Sequence, residues 1–200
     1  MKIIYGTTNK SKIDFMRRRI NGLGGIEMLS LNDVSMPKVS IMENGATPLE
    51  NARIKALSYF AMLGRPVFSC DSGLYIDNLD DSRQPGLNIR GAGDVMNDDE
   101  AIVYYSKLAE EMGGKMTARY KNAICLVMAK NKIFEHMGDD IASEPFIITS
   151  KPHPIRKEGF PLDSLSIDIA SGKYFHDLPE ENSDKLCGEF AAFFKRSLNL

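Results

Sequence analysis

Hydrophobic and polar positions along the chain follow two periods, one typical of strands and one typical of helices. Short apolar runs predict strands at Lys2–Tyr5, Ile26–Leu31, Lys121–Ala129, Ile133–His136 and Ile141–Ile148, with two more on either side of Ser69–Gly73. Apolar residues that recur every three or four positions predict amphipathic helices over Ile13–Leu23, Pro48–Leu63, Ala101–Met112 and Asp184–Leu198. Because strands and helices alternate, the pattern predicts the α/β class, in which ligands gather at loops outside strand ends.

Length and composition narrow the architecture further. The chain has 200 residues, which favours one domain over residues 1–200 under the usual size prior. A hydrophobic share of 43% and a charged share of 26% are ordinary for a globular protein. We therefore expect one folded domain with little disorder.

The formal charge of −2 argues against a nucleic-acid binder, because binding a phosphate backbone needs a basic surface. A small anionic ligand needs only a few local positive groups and stays possible. Cys70, Cys125 and Cys187 form no C-x-x-C pair, so neither a disulfide framework nor a zinc site is indicated. The three isolated cysteines fit a reducing cytoplasm best, and no apolar run is long enough for a membrane span.

The first strand leads directly into a loop that could bind phosphate. Gly6–Lys12 joins the strand to a helix, so backbone N–H groups and the positive end of the helix dipole face whatever lies above the loop. Thr7, Thr8, Asn9 and Lys12 add hydrogen-bond donors and positive charge. The alternative is an ordinary N-capped helix with solvated lysines.

Two carboxylates accompany this loop. Glu50 falls in the first turn of a helix that Thr47 would cap, where it either favours the helix dipole or ligates a metal. Asp71 is expected at a turn between two buried strands, either as a local turn former or as a catalytic group. Because Mg²⁺ needs only one or two carboxylates when a substrate supplies phosphate oxygens, the residues indicate metal-assisted hydrolysis of a phosphorylated small molecule.

Three motifs in matching order resemble the inosine triphosphate pyrophosphatase-like (HAM1-type) family of house-cleaning nucleotide hydrolases. They are Thr7-x-Asn9-x-x-Lys12, Glu50-Asn51-Ala52-x-x-Lys55-Ala56, and Asp71-Ser72-Gly73-Leu74-x-Ile76-Asp77-x-Leu79. Weaker matches follow at Pro85-Gly86 with Arg90-x-Ala92-Gly93, and at Gly159-Phe160-x-x-Asp163. The resemblance spans most of the chain and is strongest over its first half.

The resemblance implies an elongated α/β fold around a long mixed sheet with flanking helices, usually as a homodimer. It also implies Mg²⁺-dependent cleavage of a nucleoside triphosphate, with non-standard purines (ITP, XTP, dITP) preferred, to the monophosphate and pyrophosphate. By position, the loop residues Thr7, Thr8, Asn9 and Lys12 would hold the phosphates. The metal would be held by Glu50 and Asp71, and Asp71 or its bound water would carry out the attack. Substrate contacts would come from Ser72, Phe160 and Asp163. Independently of the resemblance, Arg90 in its Gly-rich loop either reaches a phosphate or base or is an ordinary exposed arginine.

Several positions depart from the family pattern. Cys70 replaces an acidic residue, and we interpret it as a packing substitute rather than a nucleophile. Pro161 and Leu162 replace a Gly-aromatic pair. The C-terminal K-N-x-[IV]-S-H-R segment falls on Ser183–Glu189 and loses its Lys, His and Arg together, although Lys185, Arg156 or Lys157 could compensate. An alternative is therefore a degenerate member that binds a nucleotide or phosphometabolite without turnover.

Overall fold

The computed structural model describes residues 1–36, 39–91, 95–179 and 184–200, and only the backbone of 184–188. Its strands are β1 (Lys2–Tyr5), β2 (Glu27–Ser30), β3 (Val67–Ile76), β4 (Lys115–Ala129), β5 (Lys132–Met137), β6 (Phe146–Thr149) and β7 (Ser166–Asp168). Its helices are α1 (Lys10–Ile20), α2 (Pro48–Leu63), α3 (Asp98–Glu111) and α4 (Asp184–Leu198). The predicted α/β class is confirmed.

The strands follow the order β2-β1-β3-β4-β6-β7, and β5 also pairs with β4. Parallel pairing joins β1 to β2 and to β3, where Tyr5 lies opposite Phe68. Antiparallel pairing joins β4 to β5 and β6, so the sheet is mixed. Since β1 and β3 run in the same direction, the loop that follows Tyr5 lies beside the residues that follow Phe68.

The chain divides into two compact units. The first comprises Met1–Ser72, Asn122–Ala142 and Ser183–Leu200, and the second comprises Gly73–Lys121 and Ser143–Asn182. β3 and β4 each contribute residues to both units. A single domain over residues 1–200 stays a prediction.

In the core of the first unit, helices α1, α2 and α4 pack against strands that include β1, β3 and β4. Tyr5 stacks on Phe68 with ring centroids 4.4 Å apart, and Phe194 of α4 meets Phe68 edge-on at 5.1 Å. Ala52 and Ala56 of α2 are fully buried in a cluster with the apolar face of β4. Their small side chains let the helix approach the strand closely, which fixes the position of α2.

The core of the second unit lies between α3 and β6. Tyr105 and Leu108 of α3 are buried with Phe146 and Ile148 of β6. Asn97 caps α3 through a capping box with Glu100, which explains why the helix begins at Asp98.

Three details of the sequence prediction are wrong. Asp71 does not lie at a turn, because β3 continues from Val67 to Ile76 without interruption. β4 begins at Lys115 rather than Lys121, and Ile141 lies in a loop ahead of β6.

None of the described helices is both long enough and apolar enough to span a bilayer.

Candidate functional site

A cleft of about 350 Å³ opens in the first unit at the end of β1. Its lining comes from the β1–α1 loop, the segment before α2, α2 itself and β3, namely Gly6, Thr7, Thr8, Asn9, Lys12, Val39, Ser40, Ile41, Glu43, Lys55, Tyr59 and Asp71. Five residues predicted from the sequence therefore share one cleft: Thr7, Thr8, Asn9, Lys12 and Asp71.

Gly6 lets the β1–α1 loop pass close to β3 and α2. A Cβ atom built on Gly6 would lie 2.5 Å from Ser69 Oγ and 2.7 Å from Tyr59 Cδ2. The Ser69 hydroxyl donates a hydrogen bond to the Gly6 carbonyl at 2.9 Å. A larger residue would therefore clash with the side chains of Ser69 and Tyr59 unless they or the loop shifted.

Side chains of the loop form the N-terminus of α1. Asn9 Oδ1 accepts a hydrogen bond from Lys12 N at 3.0 Å, and Thr7 Oγ1 accepts one from Asn9 N at 3.3 Å. The N-capped helix foreseen as the alternative is thus present. It does not exclude phosphate binding, because the first turn still presents backbone N–H groups, those of Lys10 and Ser11, at the positive end of the helix dipole.

An ion-pair network that joins α2 to β3 lies in the cleft. Lys55 Nζ lies 2.8 Å from Glu43 Oε2 and 3.2 Å from Asp71 Oδ1. Only 13% of the Lys55 side chain and 14% of that of Asp71 are exposed, against 39% for Glu43. Burial alone would lower the pKa of Lys55, but the two carboxylates outweigh it and hold that pKa above its usual value. Lys55 therefore stays an ammonium.

Lys12 is the second positive group of the cleft. Burial lowers its pKa, and the nearby charge of Lys55 lowers it further, while Asp71, Cys70 and Glu43 act in the opposite direction. Among the residues that the structure describes, Lys12 forms no ion pair, so its ammonium is available to an anionic ligand.

Glu50, predicted as a metal ligand, is exposed and does not line the cleft. Its Oε2 accepts a hydrogen bond from Ala46 N at 2.6 Å, and Asn51 Oδ1 accepts one from Gly45 N at 2.8 Å. A Cβ on Gly45 would lie 2.6 Å from Glu50 Cβ. Glu50 and Asn51 thus hold the loop that carries Glu43, and a metal-ligand role for Glu50 stays a prediction.

Glu43 was missed by the sequence analysis. It lies in a polar loop without periodicity, and the only available signal was an acidic residue shortly before Gly45 and the Glu50-Asn51 pair. Together with Asp71 it supplies two carboxylates that already converge on one cation, the Lys55 ammonium. Carboxylate oxygens are the ligands that Mg²⁺ prefers, so the donor set fits that ion. Over the described ranges, no group of three or more Asp, Glu, His or Cys side chains converges.

Ser72 and Cys70 flank Asp71 on β3. The Ser72 hydroxyl donates to Asn122 Oδ1 at 2.7 Å, and Asn122 Nδ2 donates to the Ile141 carbonyl at 2.7 Å. Cys70 is buried in the same core cluster as Tyr5, and burial raises the pKa of its thiol to about 12. A neutral, enclosed thiol supports the interpretation of Cys70 as a packing residue.

Comparison with known proteins places the chain in a family. The sequence profile of the Ham1 family matches residues 3–187. The chain belongs to the Ham1 family. It is 32% identical to a dITP/XTP pyrophosphatase of Halalkalibacterium halodurans over 94% of this chain and 93% of that protein.

Two further relatives differ in how much of their length is matched. A dITP/XTP pyrophosphatase of Symbiobacterium thermophilum is 30% identical over 66% of this chain, and the match spans only 64% of that protein's length. The structure of a HAM1 protein from Coxiella burnetii superposes with a TM-score of 0.78 and covers 98% of this chain and 99% of that one. At 22% identity, that likeness establishes a Ham1-type fold.

The remaining predicted site residues of this Ham1-family chain belong to the second unit. Arg90 forms an ion pair with Asp98, and Asp98 Oδ2 accepts a hydrogen bond from Gly159 N at 2.9 Å. Lys157 Nζ lies 3.1 Å from Asp163 Oδ2 and 4.6 Å from the centre of the Phe160 ring. Each of these predicted substrate contacts therefore already has an intramolecular partner, and their roles stay predictions.

Some sequence predictions fall on residues that the structure does not describe. They are Ala92 and Gly93 beside Arg90, and most of the Ser183–Glu189 segment, including the Lys185 side chain. The proposed loss of the C-terminal Lys, His and Arg set therefore rests on the sequence alone.

Proposed function

We propose that this chain is a Mg²⁺-dependent nucleoside triphosphate pyrophosphatase that cleaves a non-standard purine nucleotide to the monophosphate and pyrophosphate. The observation that carries the proposal is the cleft, in which a helix N-terminus and Lys12 stand beside the Asp71–Lys55–Glu43 network. Membership of the Ham1 family and the names of the two relatives support the same activity.

The β1–α1 loop is the proposed triphosphate site. Thr7, Thr8 and Asn9 place polar groups around the first turn of α1, and Lys12 adds a positive charge. Backbone N–H groups and an ammonium suit phosphate oxygens because both donate hydrogen bonds to negative charge. Binding here positions the phosphate chain next to Asp71.

Asp71 and Glu43 are the proposed ligands of Mg²⁺, in place of Glu50, which the sequence motif indicates but which does not line the cleft. When bound, the ion would supply charge stabilisation on the phosphate oxygens. Carboxylate oxygens are the ligands that this hard cation prefers, and those of Asp71 and Glu43 already converge on the Lys55 ammonium.

Asp71 is also the proposed general base. Its carboxylate orients a water and accepts a proton as the water oxygen bonds to the α-phosphorus. The bond between the α-phosphorus and the bridging oxygen then breaks, and pyrophosphate leaves with the electron pair. Lys12 offsets the negative charge that develops on pyrophosphate.

A second candidate is a protein that binds a nucleotide without turnover. It is favoured by the ion pairs that already occupy Arg90 and Lys157. A pyrophosphate-release screen with ITP, dITP, XTP, GTP and ATP, with and without Mg²⁺, separates the two. Release from at least one purine nucleotide that requires Mg²⁺ supports the enzyme. Thermal stabilisation by a nucleotide without any release would support the binding protein and refute the enzyme.

A further inference from the structure

Lys55 is held by the same two carboxylates that would hold a divalent cation. Its Nζ atom contacts Glu43 and Asp71 at 2.8 and 3.2 Å. A cation that ligates both carboxylates would need to come close to this ammonium. Two positive groups cannot share those oxygens in a partly buried site without strong repulsion.

The formal charges that line the cleft also indicate that a divalent cation needs an accompanying anion. The lining contains two lysines, Lys12 and Lys55, and two carboxylates, Glu43 and Asp71, so its formal charges sum to zero. A divalent cation alone would leave the cleft with a net positive charge. A phosphate group that enters with the cation restores the balance and offers Lys55 a new partner.

We propose that Lys55 occupies the cation position in the free protein, so that divalent cation and phosphate bind cooperatively. In the loaded state the cation takes the carboxylates of Glu43 and Asp71, and Lys55 turns to the phosphate. Lysine suits this exchange because its ammonium is carried on a flexible four-carbon chain. Lys55 is then a positioning residue that keeps the cleft from holding a cation until the phosphate is present. The inference rests on the proposed function only for the kind of ligands involved.

Mn²⁺ titrations without any nucleotide test the proposal directly. Free Mn²⁺ is measured by electron paramagnetic resonance for the wild type, Lys55→Met and Lys12→Met. Lys55→Met is expected to bind Mn²⁺ about tenfold more tightly than the wild type, a size usual for coupled sites. Lys12→Met is the matched control, because it removes a positive charge from the same cleft but not from the two carboxylates. Its Mn²⁺ affinity should rise by less than about threefold. An equal rise in both variants would show a general charge effect and overturn the proposal.

Orthophosphate provides a second measurement that a purely structural lysine would not affect. In the wild type, orthophosphate should tighten Mn²⁺ binding by about tenfold after correction for the Mn²⁺–phosphate complex in solution, and Mn²⁺ should tighten orthophosphate binding by the same factor. In Lys55→Met this coupling should largely disappear. Coupling of the same size in both proteins would contradict the exchange.

Two controls separate these outcomes from other failures. Lys55→Gln is made beside Lys55→Met, and thermal midpoints establish that each variant is folded before titration. Because no nucleotide is present, a chain that fails the pyrophosphate screen can still show the coupling, and an active enzyme can still lack it.

Discussion

Glu43 and Glu50 lie on the same segment before and at the start of α2, but only Glu43 reaches the cleft. We predict that Glu43→Gln lowers kcat/KM for pyrophosphate release by about 100-fold, since even outer partners of metal ligands cost about 10- to 100-fold. Glu50→Gln should stay within about threefold of the wild type, a barrier change of under about 1 kcal/mol. The two variants remove the same charge, so each controls for the other.

The effects on stability are small in both cases and can be worked from the contacts. Glu43 gives up a charge-assisted hydrogen bond to Lys55 at 2.8 Å, which in a well-shielded site contributes about 1.5–3 kcal/mol. Because 39% of the Glu43 side chain is exposed, solvent screening reduces this to about 1 kcal/mol or less. Glu50→Gln keeps an oxygen for Ala46 N and loses only its interaction with the helix dipole, about 0.3–1 kcal/mol.

The assay combines initial rates of pyrophosphate release at saturating Mg²⁺ with thermal midpoints by differential scanning fluorimetry. Glu50→Ala is a useful third variant, because it also removes the acceptor for Ala46 N and should lower stability and activity together. If Glu50→Gln loses as much activity as Glu43→Gln while its thermal midpoint is unchanged, the assignment of the ligand role to Glu43 is refuted. That result would restore Glu50 as the metal ligand that its motif indicates.

Three other substitutions or treatments probe the remaining parts of the site. Asp71→Asn should lower kcat by at least about 100-fold, as expected for a lost general base, while the circular dichroism spectrum stays unchanged. Near-normal turnover would show that the water is activated by another group. Lys12→Ala should raise KM by about tenfold, because it removes roughly one charge-assisted contact to phosphate. An unaltered KM in steady-state kinetics would contradict the assignment of the β1–α1 loop as the phosphate site. Burial raises the pKa of Cys70 and Cys125 to about 12, so the thiolate fraction at pH 8 is about a thousandfold below that of an ordinary cysteine. Iodoacetamide should therefore label neither residue in the native protein, and rapid native labelling of Cys70 in peptide mass maps would refute its assignment to the core.

The helices could be predicted closely because their signals are local. Thr47 caps α2 through Glu50 N, Pro48 occupies its first turn, and Gly64 ends it in the left-handed conformation. Each of these features depends on residues within one turn, so the sequence carries them without knowledge of the fold. The closing helix from Asp184 was likewise evident from its apolar spacing.

The path of β3 could not be predicted so well. The polar run Ser69–Gly73 suggested a turn, but Ser69 is buried and bonded to Gly6, and Ser72 finds Asn122 on β4. These partners are distant in sequence, and they satisfy the polar groups that would otherwise disfavour a continuous strand. In keeping with a continuous strand, Gly73 does not adopt the positive φ that a glycine often supplies in a turn.

Only part of the candidate site could be predicted from the sequence, because some of its contacts join residues outside any local motif. Thr7, Asn9, Lys12 and Asp71 stand in local motifs that resemble a family, so they could be named in advance. The place of Glu43 depends on two hydrogen bonds that fold its loop back onto α2. Neither bond is indicated by the spacing of hydrophobic and polar residues in the sequence.

Helix α2 determines the positions of several groups in the cleft. It carries Lys55, anchors the Glu43 loop through Glu50 and Asn51, and is fixed to β4 by Ala52 and Ala56. One helix therefore positions both Lys55 and the loop that carries Glu43. Because Ala52 and Ala56 are fully buried against β4, a larger side chain at either position would overpack this contact and displace Lys55 and the Glu43 loop together, from a point outside the cleft.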